Sequence, residues 1–157
     1  MPVIWEEKKD KERLLAIAKA SSSLPYVCPI TYVDGRPMLD GGIVDSIPVL
    51  RAIEQGYERN VVVLTRNRGY RKSEKDIRVP RFIYTRYPRL RVVLSRRCQV
   101  YNQQLEMIER MEDEGRIIAI RPEQRVVVNR IEKDIRKLTS LYEEGYACAE
   151  KVMGQFL

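Results

Sequence analysis

The sequence predicts an α/β fold with a mainly helical C-terminal region. Residues 60–65 form an uninterrupted, largely β-branched run, which is typical of a strand buried on both faces of a mostly parallel sheet. Residues 116–121 predict a second short buried strand. Between them, apolar residues recur every three or four positions over 89–114, which predicts a long helix closed by Gly115. Strands and helices in this order indicate the α/β class.

The N-terminal segment predicts a helix followed by irregular chain. Residues 6–20 have a short apolar face after a highly charged first half. The serines 21–23 and then Pro25 are expected to end this helix. Further along, Asp34-Gly35 predicts the tight turn of a hairpin.

Adjacent glycines, Gly41 and Gly42, precede the next predicted helix. Asp45 or Ser46 is expected to be the N-cap of that helix, since both have short side chains that accept hydrogen bonds from backbone N–H groups. Gly56 is a natural residue to end it.

The rest of the chain predicts loops and helices. The basic stretch 66–78 is expected to be a polar loop, and a short helix is expected at 80–87. Two further helices are predicted at 129–138 and 141–156.

Composition excludes several kinds of site. The 157 residues are 44% hydrophobic and 32% charged, which is typical of a globular protein. There is no histidine, so a Ser-His-Asp triad, a Cys-His pair and any histidine-containing metal site are excluded within this chain. Three widely spaced cysteines without C-x-x-C indicate a reduced protein, and the first ten residues lack the apolar core of a secretory signal. A cytoplasmic location is therefore expected, with no membrane span.

Positive charge is concentrated in residues 66–97. This segment has twelve basic residues and two acidic ones, a net charge of +10, so the remainder of the chain has a net charge of −3. Such a segment attracts nucleic acid, anionic lipid headgroups or an acidic protein surface, although most such runs form a solvated face.

An ordered set of motifs resembles the patatin-like phospholipase family, and most closely its bacterial branch. The motifs are Asp40-Gly41-Gly42, the capped helix and strand that follow it, Thr65-Arg66 and Gly69-Tyr70-Arg71-Lys72. Tyr101-Asn102 and residues 141–146 are also similar to the C-terminal region of that branch. The resemblance therefore extends over nearly the whole chain.

The resemblance implies a three-layer α/β hydrolase that uses a Ser-Asp dyad and needs no metal or cofactor. Asp40 takes the place of the dyad aspartate, the general base for the serine, and Gly41 and Gly42 complete the backbone of its motif. The implied substrates are phospholipids or other acyl esters. Arg66, Arg68, Arg71 and Lys72 are expected to contact an anionic headgroup, with peripheral contact to a membrane.

The family's nucleophile elbow, G-x-S-x-G, does not occur in this sequence. We therefore expect the chain to be the C-terminal half of such a hydrolase, with residues 1–78 as part of its core and residues 79–157 as a helical appendage. Its partner would be the missing N-terminal half with the serine, and the isolated chain would be inactive. Whether Met1 is a native start stays open at this point.

Two other functions remain as alternatives. The chain could be a non-catalytic interaction fragment, and the open edge of half a sheet could cause it to form a homo-oligomer. Nucleic-acid binding is disfavoured, because the sequence lacks aromatic-glycine RNA motifs and zinc ligands.

Overall fold

The computed structural model describes residues 3–73, 82–128 and 132–154. Helices and strands are interspersed along the chain, which confirms the predicted α/β class. In chain order they are α1 (Lys11–Ser21), β1 (Thr31–Val33), β2 (Arg36–Met38), a 3₁₀ turn (Gly41–Ile43), α2 (Val49–Glu54), β3 (Asn60–Val63), α3 (Pro88–Asp113), β4 (Ile117–Ile120) and α4 (Ile135–Met153).

The chain divides into two compact units, each made of two segments. The first unit comprises Met1–Ile47 and Lys72–Gln104, and the second comprises Pro48–Arg71 and Leu105–Leu157. The division predicted at residue 78 lies outside the described residues and stays a prediction.

In the first unit, α1 packs against the hairpin formed by β1 and β2. The two strands are antiparallel, with Val33 opposite Arg36. Asp34 and Gly35 both have positive φ angles, 49° and 73°, as a two-residue hairpin turn requires. The predicted turn is therefore confirmed.

Helix α1 begins five residues later than predicted. The Asp10 carboxylate accepts a hydrogen bond from the Arg13 backbone N–H and is the N-cap. The Glu7 carboxylate accepts hydrogen bonds from the N–H groups of Lys9 and Asp10, which keeps this segment in a turn outside the helix.

In the second unit, β3 and β4 are parallel, with Asn60 opposite Ile117 and Val63 opposite Ile120. The parallel pairing confirms the prediction, and α2 contacts β3 while α4 contacts β4. The prediction that β3 is buried on both faces is wrong. Val62 is buried, whereas Val61 and Val63 on the other face are 51% and 71% exposed.

Helix α2 is capped differently from the prediction. It begins at Val49 with Pro48 at the N-cap position and no side-chain cap. The Asp45 carboxylate instead accepts a hydrogen bond from Gln104 Nε2, and Ser46 Oγ donates to the Gly42 carbonyl. Gly56, with φ of 89°, ends the helix as predicted.

The long helix α3 agrees with the prediction within one residue at each end. Its buried residues follow the predicted spacing: Leu94 and Cys98 in the first unit, then Leu105, Ile108 and Met111 in the second. Gly115, with φ of 68°, follows it.

The C-terminal helices were predicted wrongly. Where two helices were expected, the described residues contain one, α4, which continues through residues 139 and 140. It begins at Ile135 because the Asp134 carboxylate accepts a hydrogen bond from the Arg136 N–H. Residues 129–131 and 155–156 of the predicted helices lie outside the described residues. Residues 82–86 form turns rather than the short helix expected there, and residues 80 and 81 are not described.

Candidate functional site

Asp40 lies between β2 and the 3₁₀ turn and is half-buried. Its backbone N–H donates to the Ser23 carbonyl at 2.9 Å. Its carboxylate Oδ1 accepts the Gly42 N–H at 2.7 Å, so the side chain caps the turn that it precedes. Both its backbone and one of its carboxylate oxygens are therefore held in place.

Ser23 anchors the Asp40 loop to the rest of the first unit. It is the one buried polar side chain among the described residues. Its hydroxyl donates to the Lys19 carbonyl at 2.8 Å and shares a hydrogen bond with Thr31 Oγ1 at 2.8 Å. The sequence suggested only a helix stop here, and no local signal distinguishes Ser23 from its neighbours Ser21 and Ser22.

Gly42 lies close to Asp40, so a side chain at this position would make a tight contact with the Asp40 carboxylate. A Cβ at Gly42 would lie 3.0 Å from Asp40 Oδ1, whereas one at Gly41 would lie 3.8 Å from Ser21 Oγ, an ordinary contact. Ser46 Oγ donates to the Gly42 carbonyl at 2.6 Å. The two glycines of the motif therefore differ: Gly42 positions the carboxylate, and Gly41 is less constrained.

The second carboxylate oxygen of Asp40, Oδ2, has no hydrogen-bond donor among the described residues. A carboxylate with one oxygen fixed and the other open can accept a proton or a hydrogen bond from a hydroxyl brought to it. No group of three or more acidic or cysteine side chains in the described part of the chain could hold a metal ion.

A mainly apolar cavity of about 280 Å³ lies beside this motif, within the first unit. Its lining includes Gly41, Leu39 and Trp5. The Trp5 ring is also covered by the Arg13 guanidinium, whose centre lies 5.0 Å from the ring centroid.

Residues 6–53 match the family model of the patatin-like phospholipases. The matched segment contains the whole Asp40 motif, and it supports a relation to lipid acyl hydrolases. Residues 87–157 match a domain of unknown function, DUF6363. A search of curated proteins gave no match. The bacterial branch and the position of the chain as a C-terminal half stay predictions.

Outside the patatin-like segment, three of the four predicted headgroup residues bind to other parts of the second unit. Arg68 Nη2 contacts both carboxylate oxygens of Asp113 at 2.7 Å. Arg71 Nη2 donates to Glu109 Oε2 at 2.7 Å. Arg66 lies over the Tyr70 ring, 5.1 Å from its centroid.

The fourth residue, Lys72, belongs to the first unit. Its Nζ lies 3.6 Å from the centroid of the Tyr101 ring. The Asn102 side chain accepts from the Lys72 N–H at 2.8 Å and donates to the Lys72 carbonyl at 3.0 Å. The Tyr101-Asn102 motif thus holds Lys72 by both its side chain and its backbone.

These ion pairs change the acidity of the groups involved. The hydrogen bond from Arg71 lowers the pKa of Glu109 to about 2, with a further contribution from the Gly69 N–H. The hydrogen bond to Asp113 raises the pKa of Arg68, and that to Glu109 raises the pKa of Arg71. Contact of these residues with a headgroup stays a prediction.

Among the described helices, none is long and apolar enough to cross a membrane.

Proposed function

We propose that this chain provides the catalytic aspartate, Asp40, of a patatin-like acyl hydrolase that acts on phospholipids or related acyl esters. The serine of the dyad would come from an N-terminal half with the G-x-S-x-G elbow, a motif that this sequence lacks. The observation that carries the proposal is the Asp40 carboxylate itself. One of its oxygens is fixed by the Gly42 N–H, and the other is open among the described residues.

The proposed reaction uses the open oxygen as a base. The serine hydroxyl attacks the carbonyl carbon of the ester while its proton passes to Asp40 Oδ2, and collapse of the tetrahedral intermediate releases the alcohol with that proton. A water molecule then attacks the acyl-enzyme by the same route and releases the fatty acid. Backbone N–H groups of the N-terminal half would stabilise the oxyanion.

The second unit supports a partner of this kind. Its sheet has two parallel strands, β3 and β4, among the described residues, whereas parallel sheets are normally covered on both faces. Val61 and Val63 leave one face of β3 exposed. Apolar surface on an open sheet favours association with the N-terminal half.

The experiment combines this chain with the protein sequence encoded directly upstream of the Met1 codon. If that reading frame encodes G-x-S-x-G, the two chains are co-expressed and the hydrolysis of a p-nitrophenyl ester is measured. Asp40→Asn is expected to lower kcat by roughly 10²–10⁴-fold, because the amide cannot take the proton. The matched control is Asp45→Asn on the same loop, which retains an oxygen acceptor for Gln104 and should leave kcat unchanged.

Circular dichroism must show the same fold for both variants. An Asp40→Asn complex with full turnover would show that this carboxylate is not the base. The chain alone is expected not to react with a fluorophosphonate probe, and labelling of one of its serines would locate the nucleophile within this sequence.

The alternative is a non-catalytic interaction fragment, which the missing elbow favours. An upstream region without G-x-S-x-G would favour this second function. We also retain a cytoplasmic location and peripheral contact with lipid headgroups as proposals. For Arg68 and Arg71, such contact requires a phosphate to compete with the carboxylates of Asp113 and Glu109.

A further inference from the structure

Helix α4 presents an exposed row of apolar side chains, here called the α4 stripe. Their exposed fractions lie between 36% and 76%. Successive spacings of three, four, four and seven residues keep them on one side of the helix. Helix α4 also packs on β4, and its buried residue, Cys148, lies on a different side of the helix from these side chains. The α4 stripe consists of Ile135, Leu138, Tyr142, Tyr146 and Met153.

The α4 stripe is nearly symmetric about residue 144. Ile135 and Met153 lie nine residues to either side, and Tyr142 and Tyr146 lie two residues to either side. In a two-fold dimer, residue i of one copy contacts residue j of the other, and j contacts i. Two antiparallel α4 helices crossing at residue 144 would therefore place Ile135 against Met153 and Tyr142 against Tyr146 of the other copy, whereas Leu138 has no apolar counterpart.

We propose that the α4 stripe is the interface of a homodimer in which two copies of α4 pack antiparallel. The occupant of this surface is a second copy of this chain. The central contacts are Tyr142 of one copy against Tyr146 of the other, and aromatic anchors of this kind contribute much of the energy of an interface.

Charge on the edge of the stripe supports the antiparallel orientation. Arg136 and Glu150 each follow directly after a residue on the stripe side of the helix, so they lie on the same flank near opposite ends of α4. Both are exposed, and neither forms an ion pair within the described residues. An antiparallel dimer keeps this flank on the same side of the interface and places Arg136 of each copy near Glu150 of the other.

The flank also disfavours a lipid as the occupant. Helices that lie on membranes are rich in Lys and Arg on the polar face, where they meet anionic headgroups. Here the flank of the stripe carries two acidic residues, Glu143 and Glu150, besides Arg136.

The test is the mass of the 157-residue chain by light scattering after size exclusion, over a range of concentrations. We expect a dimer of twice 18.5 kDa that dissociates on dilution. Tyr142→Lys should raise the dimer Kd by about tenfold or more, because an exposed tyrosine is replaced by a charge that the interface would bury. The matched control is Ser140→Lys, which adds the same charge on the opposite side of α4 and should leave Kd unchanged.

A charge swap tests the orientation. Arg136→Glu and Glu150→Arg should each weaken the dimer, and the double variant should restore it. A chain that stays monomeric at all concentrations would overturn the proposal, as would a dimer that Tyr142→Lys leaves intact. Binding to phosphatidylglycerol vesicles by a monomer, lost in Tyr142→Lys, would assign the stripe to a lipid surface instead.

Discussion

Glu109 is the centre of the ion-pair network in the second unit, and Glu109→Gln tests what that network contributes to stability. Its carboxylate accepts from Arg71 Nη2 at 2.7 Å and from the Gly69 N–H at 2.9 Å. Arg121 Nη1 lies 4.0 Å away. These bonds fix the loop after β3 to helix α3. The amide of glutamine can still accept from Gly69, but it removes the charge that faces the two guanidinium groups.

The expected loss of stability follows from the pKa of Glu109. A pKa lowered from 4.5 to about 2 corresponds to an upper limit of about 3 kcal/mol at neutral pH. The Glu109 side chain is 16% exposed and that of Arg71 is 33% exposed, so solvent screens part of this energy. We expect Glu109→Gln to lower the free energy of unfolding by about 1–2 kcal/mol at neutral pH.

The sign of the pH dependence follows from the same values. Because the pKa is lower in the folded state, the unfolded state binds more protons, and this stabilisation is present above about pH 4.5. It is lost as the pH falls from about 4.5 towards 2. The difference between wild type and Glu109→Gln should therefore shrink over this range.

The assay is urea denaturation of both proteins at several pH values, followed by circular dichroism. The difference between the two proteins removes the contributions of other titrating groups such as Glu7, whose pKa is also lowered to about 2. Glu106→Gln is the control, since that carboxylate is 57% exposed and 3.5 Å from Arg71 Nε. It should cost less than about 0.5 kcal/mol. Equal stability of Glu109→Gln and wild type, or a difference that persists undiminished at about pH 3, would refute the electrostatic explanation.

Two further substitutions test the Asp40 loop and the core. Gly42→Ala places a Cβ 3.0 Å from Asp40 Oδ1 and should lower the esterase kcat of the two-chain complex by about tenfold or more. The control, Gly41→Ala, should retain activity. Equal rates for the two variants would show that the Asp40 carboxylate tolerates the displacement. Ile108→Ala removes a fully buried side chain and should lower the free energy of unfolding, measured by urea denaturation, by about 2–5 kcal/mol. The control, Val127→Ala, changes an exposed side chain and should lower it by less than about 0.5 kcal/mol. Similar losses for both variants would place Ile108 outside the core.

The elements predicted correctly are those that neighbouring residues in the sequence determine. The Asp34-Gly35 turn was predictable because few residue pairs accept two positive φ angles in succession. Helix α3 was predictable because its apolar period extends over 26 residues, far longer than chance would give. The parallel pairing of β3 and β4 agrees with their uninterrupted apolar runs.

The errors occurred where distant or competing groups decide the structure. Asp45 is a good N-cap by itself, yet its carboxylate binds Gln104, 59 positions along the chain. The start of α1 depended on which of several acidic residues caps it, and Asp10 is the cap while Glu7 binds backbone groups ahead of the helix. Periodicity alone does not resolve such a competition.

The candidate site was predictable in part. The resemblance singled out Asp40, and its two glycines were part of the same motif. The distinct role of Gly42 depends on a 2.7 Å hydrogen bond to the carboxylate, and the role of Ser23 depends on contacts with α1 and β1. These contacts exist only after the chain has folded, so composition and spacing did not reveal them.

The basic segment shows how charge along the sequence differs from charge in the fold. Residues 66–97 have a net charge of +10, yet Arg68 and Arg71 pair with carboxylates of α3 that lie about 40 positions further along the chain. Because each such pair cancels a charge locally, the field available to a phosphate is weaker than the sequence suggests. These arginines instead join the loop after β3 to α3. The exposed apolar surfaces of β3 and of the α4 stripe are then the stronger candidates for binding a protein partner. Removal of apolar groups from water by a partner lowers the free energy of the system.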